Sequence, residues 1–400
     1  MAFRQSLSLL KEPRYGTFWV SSFLANLGTW VQQVAQPWLM LSLTNSSFML
    51  GLDAFAMDAP MWGLTLLGGA LADRADRRRV IFICQSIQAL CPVLLVVLLL
   101  FDHVNPFVII GCSLVIGVTD ALSMPSFSSI VPSIVERNQI GAGIALKSMQ
   151  FNVSRIIGPA IAGVLLTGAG AAACFSVSAL SYVPFVLVAW LVLPKFTPPP
   201  ETARTPLLTG VKEIIAQPML RGCLQTALVT GLFCSPIVTF CPVLVKEGFK
   251  AGPEFFSAAL GGFGVGGVLG AIALLTIEGR YDRRALSSRA GVIYGLLVLA
   301  AGATPSVWLV PVVMAGAGVA MSFSNTQANS VLQLESGARR GQAASLFMLS
   351  MRGGLSIGAL VTGAIATWLG IRWALAINGA LAMGLHLWVG QRWLAVKTAD

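Results

Sequence analysis

The sequence is poor in charged side chains and in the residue types that most enzymes use for chemistry. Charged residues make up only 10% of the chain, whereas a soluble domain carries about 25%. Two histidines are present, His103 and His386, and no nucleophile, base and acid can be arranged around either of them. We therefore expect a protein that is not an enzyme.

Cysteines and phosphate-binding patterns exclude further classes. The seven cysteines lie in or beside apolar runs, are odd in number and include no Cys-x-x-Cys pair, so they predict neither a disulfide framework nor a zinc site. The glycine-rich run at 261–267 lacks the Lys-Ser/Thr of a phosphate loop and lies inside an apolar segment. We expect no cofactor, no metal and no nucleotide site.

Apolar sequence is what the chain has in abundance. Hydrophobic residues make up 56% of it, and its mean hydropathy is +0.79. The apolar segments are about 20 to 25 residues long, which is the length that a helix needs to cross about 30 Å of hydrocarbon. The sequence thus predicts an all-α integral membrane protein with twelve transmembrane helices. We place them near residues 17–43, 48–72, 80–101, 106–130, 142–167, 171–193, 221–245, 254–276, 287–303, 307–330, 342–366 and 371–390.

Basic residues are distributed unevenly among the loops. Most of the 26 lysines and arginines fall in alternate loops and at one set of helix ends, and this bias marks the cytoplasmic side of a membrane protein. We expect a multi-pass protein of the bacterial inner membrane with both termini in the cytoplasm. This topology and contact with anionic lipids account for the net charge of +10, so we expect no nucleic-acid partner.

One long polar break divides the chain into two halves. It contains three consecutive prolines, which disfavour a continuous helix. We therefore predict six-helix bundles at residues 1–193 and 221–400, joined by a cytoplasmic linker at 194–220.

The two halves repeat each other weakly at an offset of 200 residues. Gly158 matches Gly358 and Gly163 matches Gly363, and the charged loop after the second span has a shorter counterpart at 280–284. Duplicated halves of this kind build two pseudo-symmetric bundles around a central cavity.

The loop between the second and third predicted spans is dense in charge. Six of the seven residues from Asp73 to Arg79 are charged, so this loop is a water-exposed turn. Its pattern, Gly-x-x-x-Asp-Arg-x-Asp-Arg-Arg, resembles the signature loop of the major facilitator superfamily of twelve-helix secondary transporters. The resemblance implies that charges of this loop and Asp120, in span four, form a relay that closes the cytoplasmic side of the transporter. The alternative for Asp120 is a substrate contact. The gate residues are Gly69, Asp73, Arg74, Arg77, Arg78 and Asp120.

The fifth span carries a second resemblance. Its run Arg-Ile-Ile-Gly-Pro-Ala-Ile-Ala-Gly resembles the Gly-Pro element of major facilitator exporters, which is often called the antiporter motif. Gly158, Pro159 and Gly163 would permit a bend and close helix approach, although Ala162 stands where the full motif has a glycine. The amino-terminal third of the chain is similar to the enterobactin-exporter branch of the superfamily.

Two ionisable side chains lie deep in predicted spans, where a charge is costly and by default marks a pathway or a partner. At about 1.5 Å of rise per residue, Asp58 in span two and Arg155 in span five fall at similar depths near the midplane. We expect Arg155 to attract an anionic or acceptor-rich substrate group and Asp58 to be the proton-coupling carboxylate. The alternative is a fixed Asp58–Arg155 ion pair that ties two helices together.

Polar and aromatic side chains share helical faces in several spans. The substrate-cavity candidates are Asn26, Trp30 and Gln33 in span one, Asn152 and Arg155 in span five, Asn325 in span ten and Arg352 in span eleven. For Asn325, a hydrogen bond that only holds helices together is an equal alternative.

These features favour a monomeric secondary transporter that exports a small organic molecule, a siderophore or a drug-like compound, by proton-coupled alternating access. Its partners would be the substrate, protons and membrane lipids. Two alternatives stay open. One is a lipid or lysolipid flippase of the same fold, and the other is a membrane scaffold or sensor that transports nothing.

Overall fold

The computed structural model describes residues 8–195, 207–277 and 281–396, and in this part of the chain every regular element is a helix. The long helices are α1 (Pro13–Thr44), α2 (Ser47–Asp58), α3 (Met61–Arg74), α4 (Arg77–Leu100), α5 (Pro106–Ser128), α6 (Ile140–Gly168), α7 (Gly170–Leu191), α8 (Pro218–Gly248), α9 (Pro253–Ile277), α10 (Arg283–Ala303), α11 (Val310–Glu335), α12 (Arg340–Leu369) and α13 (Ile371–Leu394). Short helices lie at Leu9–Lys11, Val131–Ile134, Arg137–Gln139, Leu207–Ala216, Val307–Leu309 and Gly337–Arg339. Two π-helical turns lie within α8, at Thr230–Cys234 and Leu244–Gly248.

Ten of the described helices, α4 to α13, are long and apolar enough to cross a membrane. They coincide with the ten predicted spans from residue 80 onward. The first two predicted spans correspond to α1, which has 32 residues, and to the pair α2 and α3, which have 12 and 14. The prediction of an all-α membrane protein is confirmed, whereas a count of twelve also requires α1 and the broken pair to cross.

Aspartates begin two helices at equivalent points of the two halves. Asp76 accepts a hydrogen bond from the backbone amide of Arg78 at 3.1 Å, and Asp282 accepts one from the backbone amide of Arg284 at 2.8 Å. A carboxylate at this position satisfies an amide that the first helical turn leaves unpaired. The charged loop and its shorter counterpart therefore start α4 and α10 in the same way.

The described residues divide into two compact units. The first holds residues 8–44 and 59–195, and the second holds residues 45–58, 207–277 and 281–396. The helix α2 belongs to the second unit, although the sequence placed it in the amino-terminal half. Of the predicted linker at 194–220, residues 196–206 lie outside the described residues, and a ten-residue helix, Leu207–Ala216, occupies most of the rest.

In the first unit, α1 packs on α6 and α7, α4 packs on α5 and α7, and α3 packs on α5. Aromatic side chains fill the core between these helices, with Phe18 and Phe185 fully buried and their ring centroids 6.1 Å apart. The buried Tyr15 hydroxyl donates a hydrogen bond to the Gly143 carbonyl at 2.7 Å. That bond ties α1 to α6.

In the second unit, α2 and α8 pack on α12, α9 packs on α11, and α10 packs on α11 and α13. One apolar cluster of this unit includes Leu224, Leu332, Phe347 and Trp393. It joins α8, α11, α12 and α13 at one end of the unit.

Gly158 and Gly358, which the sequence repeat matches to each other, make equivalent contacts. A Cβ on Gly158 would overlap the Cβ of Trp30 in α1, and a Cβ on Gly358 would overlap the backbone of Leu232 in α8. Gly158 thus lets α6 approach α1 closely, and Gly358 lets α12 approach α8 in the same way. In each half these are the fifth and the first predicted spans. The repeat seen in the sequence is reproduced in the packing.

Candidate functional site

The second predicted span is interrupted at its buried carboxylate. The helix α2 ends at Asp58, a turn occupies Ala59 and Pro60, and α3 begins at Met61. Pro60 has no amide hydrogen to continue the helical ladder, and it disfavours helical geometry at the residue before it. A carboxylate at the carboxyl end of a helix is unfavourable because of the helix dipole. Asp58 therefore needs a cation.

Arg352 supplies that cation from the middle of α12. Its guanidinium donates a hydrogen bond to the Asp58 carboxylate at 2.7 Å. The Asp58 side chain is 7% exposed and the Arg352 side chain 33%, so the carboxylate is buried while its partner is accessible. The sequence suggested Arg155 as an alternative partner of Asp58; the partner that the structure shows is Arg352, and a pair with Arg155 stays a prediction.

Glycines let α2 and α12, the helices that carry Asp58 and Arg352, pack closely against each other. A Cβ on Gly51 of α2 would lie 2.6 Å from a carbonyl oxygen of α12, and a Cβ on Gly363 of α12 would lie 2.8 Å from a carbonyl oxygen of α2. Asp58 follows Gly51 by about two helical turns, and Arg352 precedes Gly363 by about three. Each charged residue thus lies on the same helical face as the glycine of its helix, which directs Asp58 and Arg352 toward each other.

In the first unit, α1 and α6 bring two of the cavity candidates together. The Arg155 guanidinium lies over the Trp30 ring, 5.8 Å from its centroid, and Phe151 meets the same ring edge-on at 5.8 Å. A cation over an indole ring is attracted by its π electrons. Gly158 permits this arrangement, because a side chain at that position of α6 would overlap the Trp30 Cβ. We call Trp30, Phe151, Arg155 and Gly158 the Trp30 patch.

Three other candidates lie on the same two helices as the patch. Asn26 is half-buried and Gln33 is exposed on α1. On α6, the Asn152 amide donates a hydrogen bond to the Ser148 carbonyl at 2.8 Å. Their roles in substrate binding stay predictions.

Asn325 contacts the residue next to the ion-paired arginine. Its amide nitrogen lies 3.6 Å from the sulfur of Met351, which precedes Arg352. Its amide oxygen is buried and has no hydrogen-bond partner among the described residues. Because an unmet buried acceptor is unfavourable, a ligand that brings a hydrogen-bond donor to this oxygen would gain affinity.

Part of the predicted gate lies at the junction of α3 and α4. The Arg77 side chain donates a hydrogen bond to the Ala72 carbonyl at 2.9 Å. A Cβ on Gly69 would meet no atom within 4 Å, so no close contact there requires glycine. The side chains of Asp73 and Arg74 lie outside the described residues.

The other gate residues have partners on neighbouring helices of the first unit. Asp120 accepts a hydrogen bond from the Gln88 amide at 2.7 Å, and the same amide donates to Thr119 at 3.0 Å. The Arg78 guanidinium lies 4.9 Å from the centroid of the Trp190 ring. The relay between Asp120 and the arginines stays a prediction.

Sequence reasoning missed a chain of buried hydrogen bonds in the first unit. Gln32 donates to Gln36 in α1 at 3.2 Å, and Gln36 donates to Ser113 of α5 at 2.7 Å. Ser178 of α7 donates to Gln32 at 3.0 Å. The available signal was a pair of glutamines four residues apart in an apolar span, a spacing that places both on one helical face.

The proline of the antiporter-like motif does not interrupt its helix. Gly158, Pro159 and Gly163 are all buried in α6, which is a single helix. Close packing of Gly158 on Trp30 is the contribution that the structure shows, and a functional bend stays a prediction.

His386 is the one histidine among the described residues of the second unit. His386 is buried in α13, with Nε2 3.4 Å from the Thr230 hydroxyl. In the described part of the chain no cluster of three His, Cys, Asp or Glu side chains could hold a metal ion.

Comparison with known proteins gives one family match and several relatives. A family model described as transmembrane secretion effector matches residues 4–398. The chain is 29% identical over 260 residues to the staphyloferrin A transporter of Staphylococcus aureus, covering 64% of this chain and 66% of that protein. It is 27% identical over 231 residues to the enterobactin exporter EntS of Shigella boydii, covering 57% and 55%. The matches thus span between about half and two thirds of these relatives.

Solved structures share the fold over nearly the whole chain. The nucleoside transporter NupG gives a TM-score of 0.75 at 16% identity, covering 96% of this chain and 100% of that chain. An inward-facing bacterial homolog of the human lysosomal transporter Spinster gives 0.74 at 14% identity, covering 97% and 100%. At such identities the likeness shows the fold alone, and that fold is the one the resemblance implied.

Proposed function

Since the chain belongs to the transmembrane secretion effector family of the major facilitator superfamily, we propose that it is a secondary transporter that exports a small organic chelator of the siderophore class. The names of its relatives, a staphyloferrin A transporter and an enterobactin exporter, support that substrate class. The protein works by alternating access in the bacterial inner membrane, with both termini in the cytoplasm and protons as the coupling ion.

The observation that carries proton coupling is the ion pair between Asp58 and Arg352. Ionisable residues inside membrane spans mark pathways and coupling sites. A proton on Asp58 removes its negative charge and weakens its hold on Arg352, which lies 2.7 Å away. Protonation therefore changes the contact between α2 and α12. A ligand shifts a conformational equilibrium only when it binds the two states with different affinity, and a proton on Asp58 does so when this contact differs between the states.

The Trp30 patch supports an organic substrate. It presents a guanidinium lying on an indole ring with an exposed phenyl ring, Phe151, beside it. Aromatic surface with a fixed charge favours ligands that combine ring or chain carbon with an anionic group.

Purified protein in liposomes tests the proposal. Staphyloferrin A and enterobactin are each enclosed with a pH indicator, and efflux is followed under an imposed pH gradient. We expect the wild type to move at least one of them together with a change in internal pH. The Asp58→Asn variant, shown to be folded by its elution profile and thermal unfolding, should lose the linked pH change.

Two outcomes would contradict the proposal separately. If the wild type moves neither compound, the siderophore class is wrong; movement of a labelled lysolipid in their place would favour a flippase. If the Asp58→Asn variant keeps the full linked pH change, Asp58 is not the coupling residue.

A further inference from the structure

A crevice of about 150 Å³ lies in the second unit, where α8 begins and α13 ends. Pro218, Arg221 and Gln225 line it from α8, and Arg392 and Trp393 line it from α13. Both helices are long and apolar enough to cross a membrane, so the crevice lies where they leave the hydrocarbon. We call it the Arg221 crevice.

Two guanidinium groups of this crevice have no carboxylate partner. Arg221 and Arg392 are exposed, and neither forms an ion pair among the described residues. The Arg392 guanidinium lies over the Trp388 ring, 4.0 Å from its centroid, and this contact restricts its position. The residues that line the crevice include no carboxylate. The crevice therefore carries two positive charges that are not neutralised.

The first turn of α8 adds hydrogen-bond donors to these charges. Gln217 precedes Pro218 and makes no side-chain hydrogen bond that caps the helix. The first turn of a helix leaves backbone amides unpaired and carries a partial positive charge, and both favour a phosphate. Arg221 belongs to this turn, so its side chain and the unpaired amides can act on the same anion.

The opposite wall of the crevice is held in place by α10. Arg284 donates a hydrogen bond to the Val396 carbonyl at 2.8 Å and is itself neutralised by Asp282. Trp393 is buried against Gly222, where a Cβ would lie 2.8 Å from the indole Nε1. That nitrogen is buried and has no hydrogen-bond partner among the described residues. The wall is therefore preformed, and a further donor at its Gly222 side is unused.

The equivalent place in the first unit has a different character. A larger crevice, of about 430 Å³, lies between the start of α1 and the end of α7. Its charged lining residues are Lys11 and Glu12, whose charges cancel. Gly16 of α1 matches Arg221 of α8, because each lies three positions after its helix begins. The positive charge is thus a property of the second unit.

We propose that the Arg221 crevice binds the phosphate of an anionic phospholipid. A guanidinium presents a planar fork of donors that matches phosphate oxygens, and two unneutralised arginines favour a lipid with net negative charge over a zwitterionic one. In the proposed topology the lipid belongs to the cytoplasmic leaflet, where anionic headgroups attract basic residues at helix ends. Lipid binding here does not depend on the proposed transport activity.

The outer surface of α13 favours a lipid over a soluble phosphate. Trp388 lies one turn before Arg392, toward the middle of the membrane, and its ring is exposed. Leu387 and Leu394 of the same helix are exposed as well. A lipid whose phosphate lies in the crevice can place its acyl chains on this apolar surface, which a soluble anion cannot use.

Native mass spectrometry of the full-length protein, delipidated in detergent, tests the proposal. The probes are dioleoyl phosphatidylglycerol, dioleoyl phosphatidylethanolamine and inorganic phosphate, which share a phosphate and differ in net charge or in acyl chains. We expect the first phosphatidylglycerol to bind more tightly than phosphatidylethanolamine and to raise the unfolding temperature. Inorganic phosphate at the same concentration should neither raise that temperature nor displace the lipid.

Variants locate the binding site. Arg221→Gln/Arg392→Gln should weaken binding of the first phosphatidylglycerol about twenty-five-fold, at about fivefold for each arginine. Its elution profile and its unfolding without lipid show whether it is folded, and Arg221→Gln alone should lose about fivefold. Arg14→Gln/Arg137→Gln is the matched control, because it removes two exposed arginines of the first unit, and it should keep the wild-type affinity.

Four results would contradict lipid binding at the Arg221 crevice. These are equal wild-type affinity for the two lipids, wild-type affinity in the Arg221 variants, an equal loss in the control, and displacement of phosphatidylglycerol by inorganic phosphate. The last result would indicate a site for a soluble anion. If the lipid binds as expected but vesicles transport no siderophore, the proposed function fails and the lipid site stands.

Discussion

Gly51 of α2 and Gly363 of α12 cross so closely that neither position has room for a side chain. A Cβ on Gly363 would lie 3.3 Å from the Cα of Gly51, and a Cβ on Gly51 would lie 2.6 Å from a backbone oxygen of α12. Because this crossing lies within a few turns of Asp58 and Arg352, it determines how closely their side chains can approach. The geometry of the ion pair therefore depends on two residues that carry no functional group.

Gly51→Ala should destabilise the protein. The new methyl group would meet backbone rather than a flexible side chain, so the helices must separate, at a cost of about 1–3 kcal/mol. Thermal unfolding in detergent measures the loss. Gly261→Ala in α9 is the matched control, because a Cβ there meets nothing within 4 Å, and it should be neutral or stabilising by up to about 1 kcal/mol. Equal unfolding temperatures for both variants would show that the close crossing of α2 and α12 at Gly51 and Gly363 contributes nothing to the stability of the protein.

Removing one member of the ion pair should cost more than removing both. Arg352→Gln leaves a buried carboxylate unmatched, and the loss is about 1–3 kcal/mol, since hydrogen bonds to charged groups are strong but Arg352 is partly exposed. The double variant Asp58→Asn/Arg352→Gln should recover part of that stability, because no unmatched charge is left. Denaturant unfolding of the single and double variants checks this. A double variant that is no more stable than Arg352→Gln would mean that the carboxylate does not need its cation.

Much of the fold could be predicted from the sequence because the membrane imposes strong constraints. Apolar length predicted the spans, and the charged loop was placed between the second and third of them. The loop aspartates that cap α4 and α10, Asp76 and Asp282, follow the ordinary preference at a helix start. The glycines of the fifth predicted span were expected to permit close helix approach, and Gly158 does so at Trp30.

The partner of Asp58 could not be predicted, because it is 294 positions away in the sequence. Depth along a helix suggested Arg155, but the direction of a side chain around the helix depends on which neighbour the helix packs against. The break at Ala59 and Pro60 leaves α2 as a separate helix that packs with the second unit. Pro60 was the available signal, and its effect on the preceding residue would have placed the break.

Trp30→Leu should weaken binding of an anionic aromatic substrate. The leucine keeps apolar volume but removes the ring beneath the Arg155 guanidinium, so the arginine loses an interaction of about 0.5–1 kcal/mol and affinity falls roughly two- to fivefold. Equilibrium binding of enterobactin measures the change. Trp388→Leu is the control, because Arg392 lies over that ring in the second unit at 4.0 Å. An equal loss in both variants would indicate a general packing effect.

Asp282 should stabilise the start of α10 in a pH-dependent way. Burial raises the pKa of this carboxyl, but the hydrogen bonds from Arg284 and the charge of that residue outweigh burial and hold the pKa below its usual range. A lowered pKa in the folded state means that the stabilisation is fully present above the ordinary value of about 3.9 and is lost as the pH falls below it.

Two substitutions at this position separate the charge from the cap. Asp282→Asn keeps a capping oxygen without the charge, and Asp282→Ala removes both, so the alanine variant should be less stable at neutral pH by about 0.5–2 kcal/mol. Unfolding measured from neutral pH down to acid should show wild type and Asp282→Asn converging as the carboxyl protonates. A constant difference across that range would contradict the assignment.

Export of a polyanionic substrate should respond to external pH through Asp58. The proposed function makes protons the coupling ion, so a proton enters as the substrate leaves and an acidic exterior should accelerate efflux. An inside-negative potential should accelerate it too, because each negative charge gains about 2.3 kcal/mol per 100 mV when it leaves a negative interior. Efflux of staphyloferrin A from vesicles with ionophore-set potentials and buffered exteriors measures both responses. The Asp58→Asn variant should lose the response to external pH and keep the response to the potential. Wild-type efflux that an acidic exterior slows would show that proton and substrate move in the same direction, and it would contradict the exchange.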